Sequence, residues 1–296
     1  MAHAAIAFAK ASFRQRIMAV STSIGPGATN LVTAAALAHV NRLPVLLLPG
    51  DTFVSRAPDP VLQQLEDFAH GDLSVNDALR PVTRYFDRIT APQQILHALP
   101  RAIQVMTDPA QCGPVCLALP QDVQAEAWNY PADMFEKRVW HIARPEPELA
   151  MLARAADTIR SAKRPFIVAG GGVLYSEASN ALAAFCAATG IPVGETQAGK
   201  GSLAFDHPQN LGAVGVTGTP GANIAAREAD VVIAIGTRLQ DFTTGSWALF
   251  KNPLRKIVSI NIQPFDAGKH RAAPVVGDAR ATIDARNGRV NSLMSG

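Results

Sequence analysis

The residues best suited to chemistry in this sequence sit in two glycine-rich turns. The first is Ser23-Ile24-Gly25-Pro26-Gly27, which precedes Ala28-Thr29-Asn30. Glycine lets the backbone approach a flat ligand closely, and proline stiffens the loop that does so. Asn30 stands at the predicted start of a helix, where its amide either donates to a ligand or caps the helix. A purely structural turn is the competing reading of the same residues. The second turn, Gly170-Gly171-Gly172, follows the strand-like run Pro165 to Ala169 and invites comparison with a dinucleotide-binding loop. The full G-x-G-x-x-G pattern fails, because Tyr175 occupies the third glycine position, although Glu195 could imitate the ribose-binding acid. The run is read as a tight strand-to-helix turn. Cys112 and Cys116 are separated by three residues and have no second ligand pair, and the seven histidines form no H-E-x-x-H pattern. Metal binding is therefore not expected, and the three cysteines, with Cys186, are read as buried thiols.

The elements that must carry these turns are short apolar runs alternating with Ala-rich helical stretches, the pattern of an α/β protein with parallel sheets. Arg16 to Ser21, Pro44 to Leu48 and Gly113 to Leu119 read as strands, with helices over Ala28 to Val40 and Gln93 to Met106. Between 124 and 147, Trp and Pro residues interrupt any periodicity, which predicts a linker between a domain at 1–123 and another at 148–282. In the second domain, strands are expected at Pro165 to Ala169, Ile191 to Val193, Asp230 to Ile235 and Lys256 to Ile262, with a helix over Glu177 to Thr189. Met1 opens directly into a helical pattern, and 283–296 loses apolar periodicity and reads as an aberrant tail. Together these ends predict a chain cut from something longer.

Composition limits the function. A hydrophobic share of 48% with 17% charged residues supports packed cores and excludes a disordered chain. The net charge of +3 is small and its basic residues are scattered, so nucleic-acid binding is not expected. No apolar run approaches the roughly 18 residues of a membrane span, and His3, Lys10 and Arg14 break any secretion signal, so a cytoplasmic location is predicted.

The order of several motifs is more specific. Ser21 to Thr33, Leu43 to Gly50, Arg80 to Tyr85 and Gly113 to Val123, followed by Arg164 to Gly172, Gly199 to Gly201, Asp206 to Pro208 and Asp230 to Arg238, resemble the acetolactate-synthase-like family of thiamine-diphosphate-dependent enzymes. Met1 to Ala5, Leu48 to Asp51, Glu195 to Lys200 and Gln240 to Trp247 are similar to the branch of that family that hydrolyses a ring C–C bond of a cyclic dione in inositol breakdown. The resemblance implies a truncated pyrimidine-binding domain followed by a Rossmann-like central domain. It implies thiamine diphosphate and Mg²⁺ as cofactors, a cyclic dione substrate and a homo-oligomer with active sites between subunits. The family's cofactor-activating glutamate would lie just before Met1, and the Gly-Asp-Gly domain that holds the diphosphate and Mg²⁺ is not matched, so the resemblance assigns this chain no catalytic residue or metal ligand. It places Pro26 and Asn30 against the pyrimidine side of the cofactor, with Gln63 as the family's active-site glutamine, although the adjacent Gln64 competes for that match. Asp51, which replaces a common family glutamine, is implied to face the substrate. The central domain is read as a spacer without FAD. The expectation is a partial hydrolase that is inactive alone; an acetolactate-synthase-like fragment, an interaction module that pairs with full-length subunits and a free-standing nucleotide-binding protein are the alternatives.

Overall fold

The structure, a computed structural model, describes residues 1–58 and 60–285. It divides into two compact units, Met1–Ala143 and Arg144–Gly296.

The first unit begins with α1 (Ala2–Ala11), β1 (Ala19–Thr22), α2 (Pro26–Asn41) and β2 (Val45–Asp51), and continues with β3 (Tyr85–Arg88), α3 (Ile95–Thr107), β4 (Pro114–Pro120) and the short α4 (Gln121–Ala125). The four strands form an all-parallel sheet in the order β1-β2-β4-β3. β2 alternates buried and half-buried residues and β4 is buried almost throughout, as inner strands of a covered sheet should be. Val115 and Leu117 of β4 pack with Ala98, Ala102 and Met106 of α3. In α2, Ala34, Ala35 and Ala38 are fully buried, and their small side chains allow close packing. β3 was not foreseen in the sequence because its four residues are all half-buried and lack an apolar signature. Beyond α4 the chain has little regular structure, and Trp128, Tyr130 and Phe135 pack edge to face on one another.

The second unit contains α5 (Leu149–Arg160), β5 (Pro165–Ala169), α6 (Gly171–Tyr175), α7 (Ser179–Thr189), β6 (Val193–Glu195), β7 (Asn210–Ala213) and α8 (Pro220–Glu228). They are followed by β8 (Val231–Ile235), α9 (Asp241–Thr244), β9 (Lys256–Asn261), α10 (Pro264–Ala267) and β10 (Ala273–Val276). The sheet order β10-β9-β8-β5-β6-β7 is the doubly wound order of Rossmann-type folds, all strands parallel. Successive strand residues point to opposite faces. Ile167, Ala169, Ile233 and Ile235 therefore join a core with Leu182, Phe185 and Cys186, while Phe166, Val168, Val232 and Ala234 join another with Ala222, Ala226 and Phe250. All three cysteines are free and buried.

Two local features differ from the sequence reading. A helix begins at Gly171 rather than at Glu177, and it breaks where Glu177 turns to a positive φ of 55°. At the carboxyl end, 279–285 is helical and carries Ile283 into the core at 3% exposure, so packing continues past the boundary drawn at 282. The remainder of the expected tail, 286–296, lies outside the described residues.

Candidate functional site

In open α/β sheets, ligands bind beyond the carboxyl ends of the strands. In the first unit that region comprises the end of β1, the amino end of α2, the end of β2 and the long segment 52–73 that follows it. α2 starts at Pro26, with Gly25 as its cap residue at φ 69°. Thr29 donates its hydroxyl to the Pro26 carbonyl at 3.0 Å, tightening the first turn.

Gly25 has a second, steric requirement. A β-carbon there would collide with the Gln63 carbonyl oxygen, so glycine is what lets segment 52–73 lie on the start of α2. Gln63 itself adopts a positive φ of 68° at this contact. Pro26 and Asn30 are four residues apart and share a helix face, and both are exposed, as is Gln63. The fold thus brings Gln63 against the turn that carries Pro26, with Asn30 one helical turn further on. Asn30 cannot cap the helix, because α2 begins four residues earlier. Gln64 turns into its own segment, its Oε1 accepting from the Val61 amide at 3.2 Å, and it lines a cavity of about 180 Å³ together with Phe53, Arg56, Glu66, Asp67 and His70.

The expectation that Asp51 faces a substrate does not match its surroundings. Asp51 is fully buried and its oxygens are occupied from within. Oδ1 accepts from the Thr52 amide at 2.8 Å and from the Ser74 hydroxyl, and Oδ2 accepts from Arg88 Nε at 2.7 Å. A buried carboxylate needs such partners. Arg88 also donates to Asp77 at 3.1 Å, and Asp77 accepts from Arg80 at 2.7 Å and from the Ser74 amide at 3.0 Å. Burial alone would raise the Asp77 carboxyl, but these donors outweigh it and hold it below the ordinary range. For Arg88, burial favours loss of the proton, yet the bonds and charges of Asp51 and Asp77 raise its already high value.

Asp51 and Ser74 stand at the two ends of segment 52–73, so their hydrogen bond closes its base. A second carboxylate, Asp122 of α4, accepts from the amides of Val54 and Ser55, both at 3.0 Å. Sequence reasoning missed Ser74, Asp77, Arg88 and Asp122. Ser74 and Asp77 do have a local signal, the S-x-x-D spacing of a capping box, and both halves of that box form. The long-range bonds among Asp51, Ser74 and Arg88 have no such signal. Two buried oxygens near the same strand ends, Thr22 Oγ1 and Asn76 Oδ1, lack a hydrogen-bond partner among the described residues.

In the second unit the glycine run is filled by backbone. The Gly172 amide donates to the Gly236 carbonyl at 3.0 Å, and a β-carbon at Gly172 would lie 2.6 Å from Gly236 Cα. Glycine there permits a close approach of two chain segments, which is the tight-turn reading. Glu195 is buried, and its Oε1 accepts from the amides of Gly201 and Leu203 at 3.2 and 3.0 Å, so it fixes a turn. No helix among the described residues is long and apolar enough to cross a membrane.

Comparison with known proteins gives two family matches and a consistent set of relatives. The N-terminal TPP binding domain of thiamine pyrophosphate enzymes matches residues 1–70, and the central domain of the same enzymes matches residues 152–285. The chain is 50% identical over 284 residues to the 3D-(3,5/4)-trihydroxycyclohexane-1,2-dione hydrolase of Clostridium perfringens (strain 13 / Type A). It is 51% identical over 285 residues to the protein of the same name from Geobacillus thermodenitrificans (strain NG80-2). Each alignment covers 96% of this chain and 44% of the relative, so the chain spans less than half the length of these curated relatives.

Proposed function

Because the chain belongs to the thiamine pyrophosphate enzyme family, whose N-terminal and central domains it carries, we propose that it supplies those two domains to a hydrolase that opens the ring of trihydroxycyclohexane-1,2-dione. The observation that carries this reading is identity of about half across 96% of the chain to proteins of that name. The sheet end of the first unit fits the pyrimidine side of the cofactor. Pro26 and Asn30 would hold it from the start of α2, and Gln63 would approach from the segment that Gly25 admits. When bound, thiamine diphosphate supplies a carbon nucleophile for addition to a carbonyl, and the protein contributes orientation and polarity. Pro26 gives a rigid apolar contact, while the Asn30 and Gln63 amides can each donate and accept hydrogen bonds. Mg²⁺ would accompany the diphosphate. Among the described residues there is no group of three or more His, Cys, Asp or Glu able to hold a metal.

On this reading the 296-residue chain alone is not a competent catalyst. Purified chain supplied with thiamine diphosphate, Mg²⁺ and the cyclic dione is expected to give no ring-opened product; turnover above background would overturn the inactivity. A second reading, pairing with a longer subunit, is favoured by α2, which leaves Leu37 and Val40 at 44% and 55% exposure. Co-purification with a co-expressed full-length relative tests it, and two independently eluting species would remove it.

A further inference from the structure

The second unit contains a cavity of about 370 Å³ at the amino ends of β9 and β10, opposite the strand ends where such folds usually bind ligands. Four of its lining residues are basic, namely Arg255, Lys256, His270 and Arg271, and no lining residue is acidic. The neighbouring carboxylates are engaged elsewhere. Asp157 pairs with Arg160, Asp266 pairs with Lys269, and Asp230 accepts from the amides of Lys163 and Arg164. Arg255 Nη1 donates to the Asn252 carbonyl at 3.2 Å, while its Nε is buried without a hydrogen-bond partner among the described residues.

The backbone around this cavity is unusual in the same direction. Leu239, Ser246, Trp247, His270 and Arg271 all have positive φ, between 45° and 66°. Non-glycine residues seldom adopt this conformation, and clusters of them are characteristic of binding sites. Trp247 joins the group together, its ring 4.4 Å from His270 and 5.2 Å from the Arg255 guanidinium. Burial first, and then the charges of Lys269 and Arg255, hold the His270 imidazole below its ordinary value against a backbone hydrogen bond at Leu239 that raises it.

We propose that this cavity binds a phosphate-type dianion, either free phosphate or the phosphate group of a small organic molecule. Arginine guanidinium groups match phosphate oxygens in pairs, and Lys256 adds a point charge. The volume exceeds that of a bare phosphate, and Pro253, Ile257 and Ala273 offer apolar wall for an organic body. The assignment is independent of the reading of the first unit.

The test is titration of the full chain in phosphate-free buffer with inorganic phosphate and, separately, with glycerol 3-phosphate. Binding is followed by calorimetry and by the His270 ring resonances. Saturable binding is expected, with the His270 pKa rising on ligation, because a nearby dianion favours the imidazolium against the repulsion of Lys269 and Arg255. Arg271→Gln and Arg255→Gln should each weaken binding roughly tenfold, as loss of a charge-assisted contact does. Lys200→Gln, an exposed change outside the cavity lining and beyond the carboxyl end of β6, should leave it unaltered. Tighter binding of the phosphomonoester assigns the cavity to a phosphorylated small molecule, and equal binding assigns it to free phosphate. No saturable response, or the same response in folded Arg255→Gln and Arg271→Gln variants, overturns the proposal.

Discussion

At the scale of single residues, ion pairing at the end of β2 makes stability depend on pH in a defined direction. The Asp77 carboxyl is held below its ordinary value of 3.8. Its contribution is therefore complete above that value and is lost as pH falls through the lowered one. Urea midpoints measured from pH 6 down to pH 2 should fall more steeply for the native chain than for Asp77→Asn; parallel curves would contradict this. The thiols give a second prediction. Burial pushes Cys116 and Cys186 up to about 12 and also raises Cys112. A disulfide-exchange reagent at pH 8 should label none of the three in native protein and all three in guanidinium, because only an exposed thiolate reacts. Rapid labelling of the native chain would mean that the cysteine-bearing cores open readily.

Secondary-structure elements were legible in the sequence where apolar runs were long, and obscure where they were short. Val231 to Ile235 and Val45 to Leu48 are continuous apolar stretches, and both became inner strands. Tyr85–Arg88, Asn210–Ala213 and Ala273–Val276 are four-residue strands mostly half-buried, so periodicity had little to register. The candidate site shows the same division. Gly25, Pro26 and Asn30 are neighbours in sequence and could be singled out together. The closure of segment 52–73 depends on Asp51, Ser74, Arg88 and Asp122, which only the folded chain brings together. Asp51 illustrates the cost of reading a polar residue without its neighbours, since an apparent substrate contact is an internal anchor. Packing across elements is tested at Leu182 of α7, which is fully buried in the core beside Ile167 and Ile233. Leu182→Ala should lower stability by about 2–5 kcal/mol in chemical denaturation, and a loss below about 1 kcal/mol would show that this core is loosely packed.

At the scale of the whole molecule, each unit has a core of its own, and the second is covered on both faces of a six-stranded sheet. A polypeptide comprising 144–296 should therefore fold alone. A single cooperative thermal transition by circular dichroism is the expected outcome, whereas a gradual, featureless melt would mean that it depends on the rest of the chain. The parallel order β1-β2-β4-β3 also bears on how the first unit is made. β2 is complete at Asp51, but its partner β4 begins only at Pro114. At a translation rate of about 5–20 residues per second, one edge of an apolar strand waits on the order of seconds for the chain that will cover it. During biosynthesis, that interval is when the nascent polypeptide is most open to mispairing and to capture by chaperones. Ribosome pausing between those two strands lengthens the hazard, and rapid elongation through the same stretch shortens it.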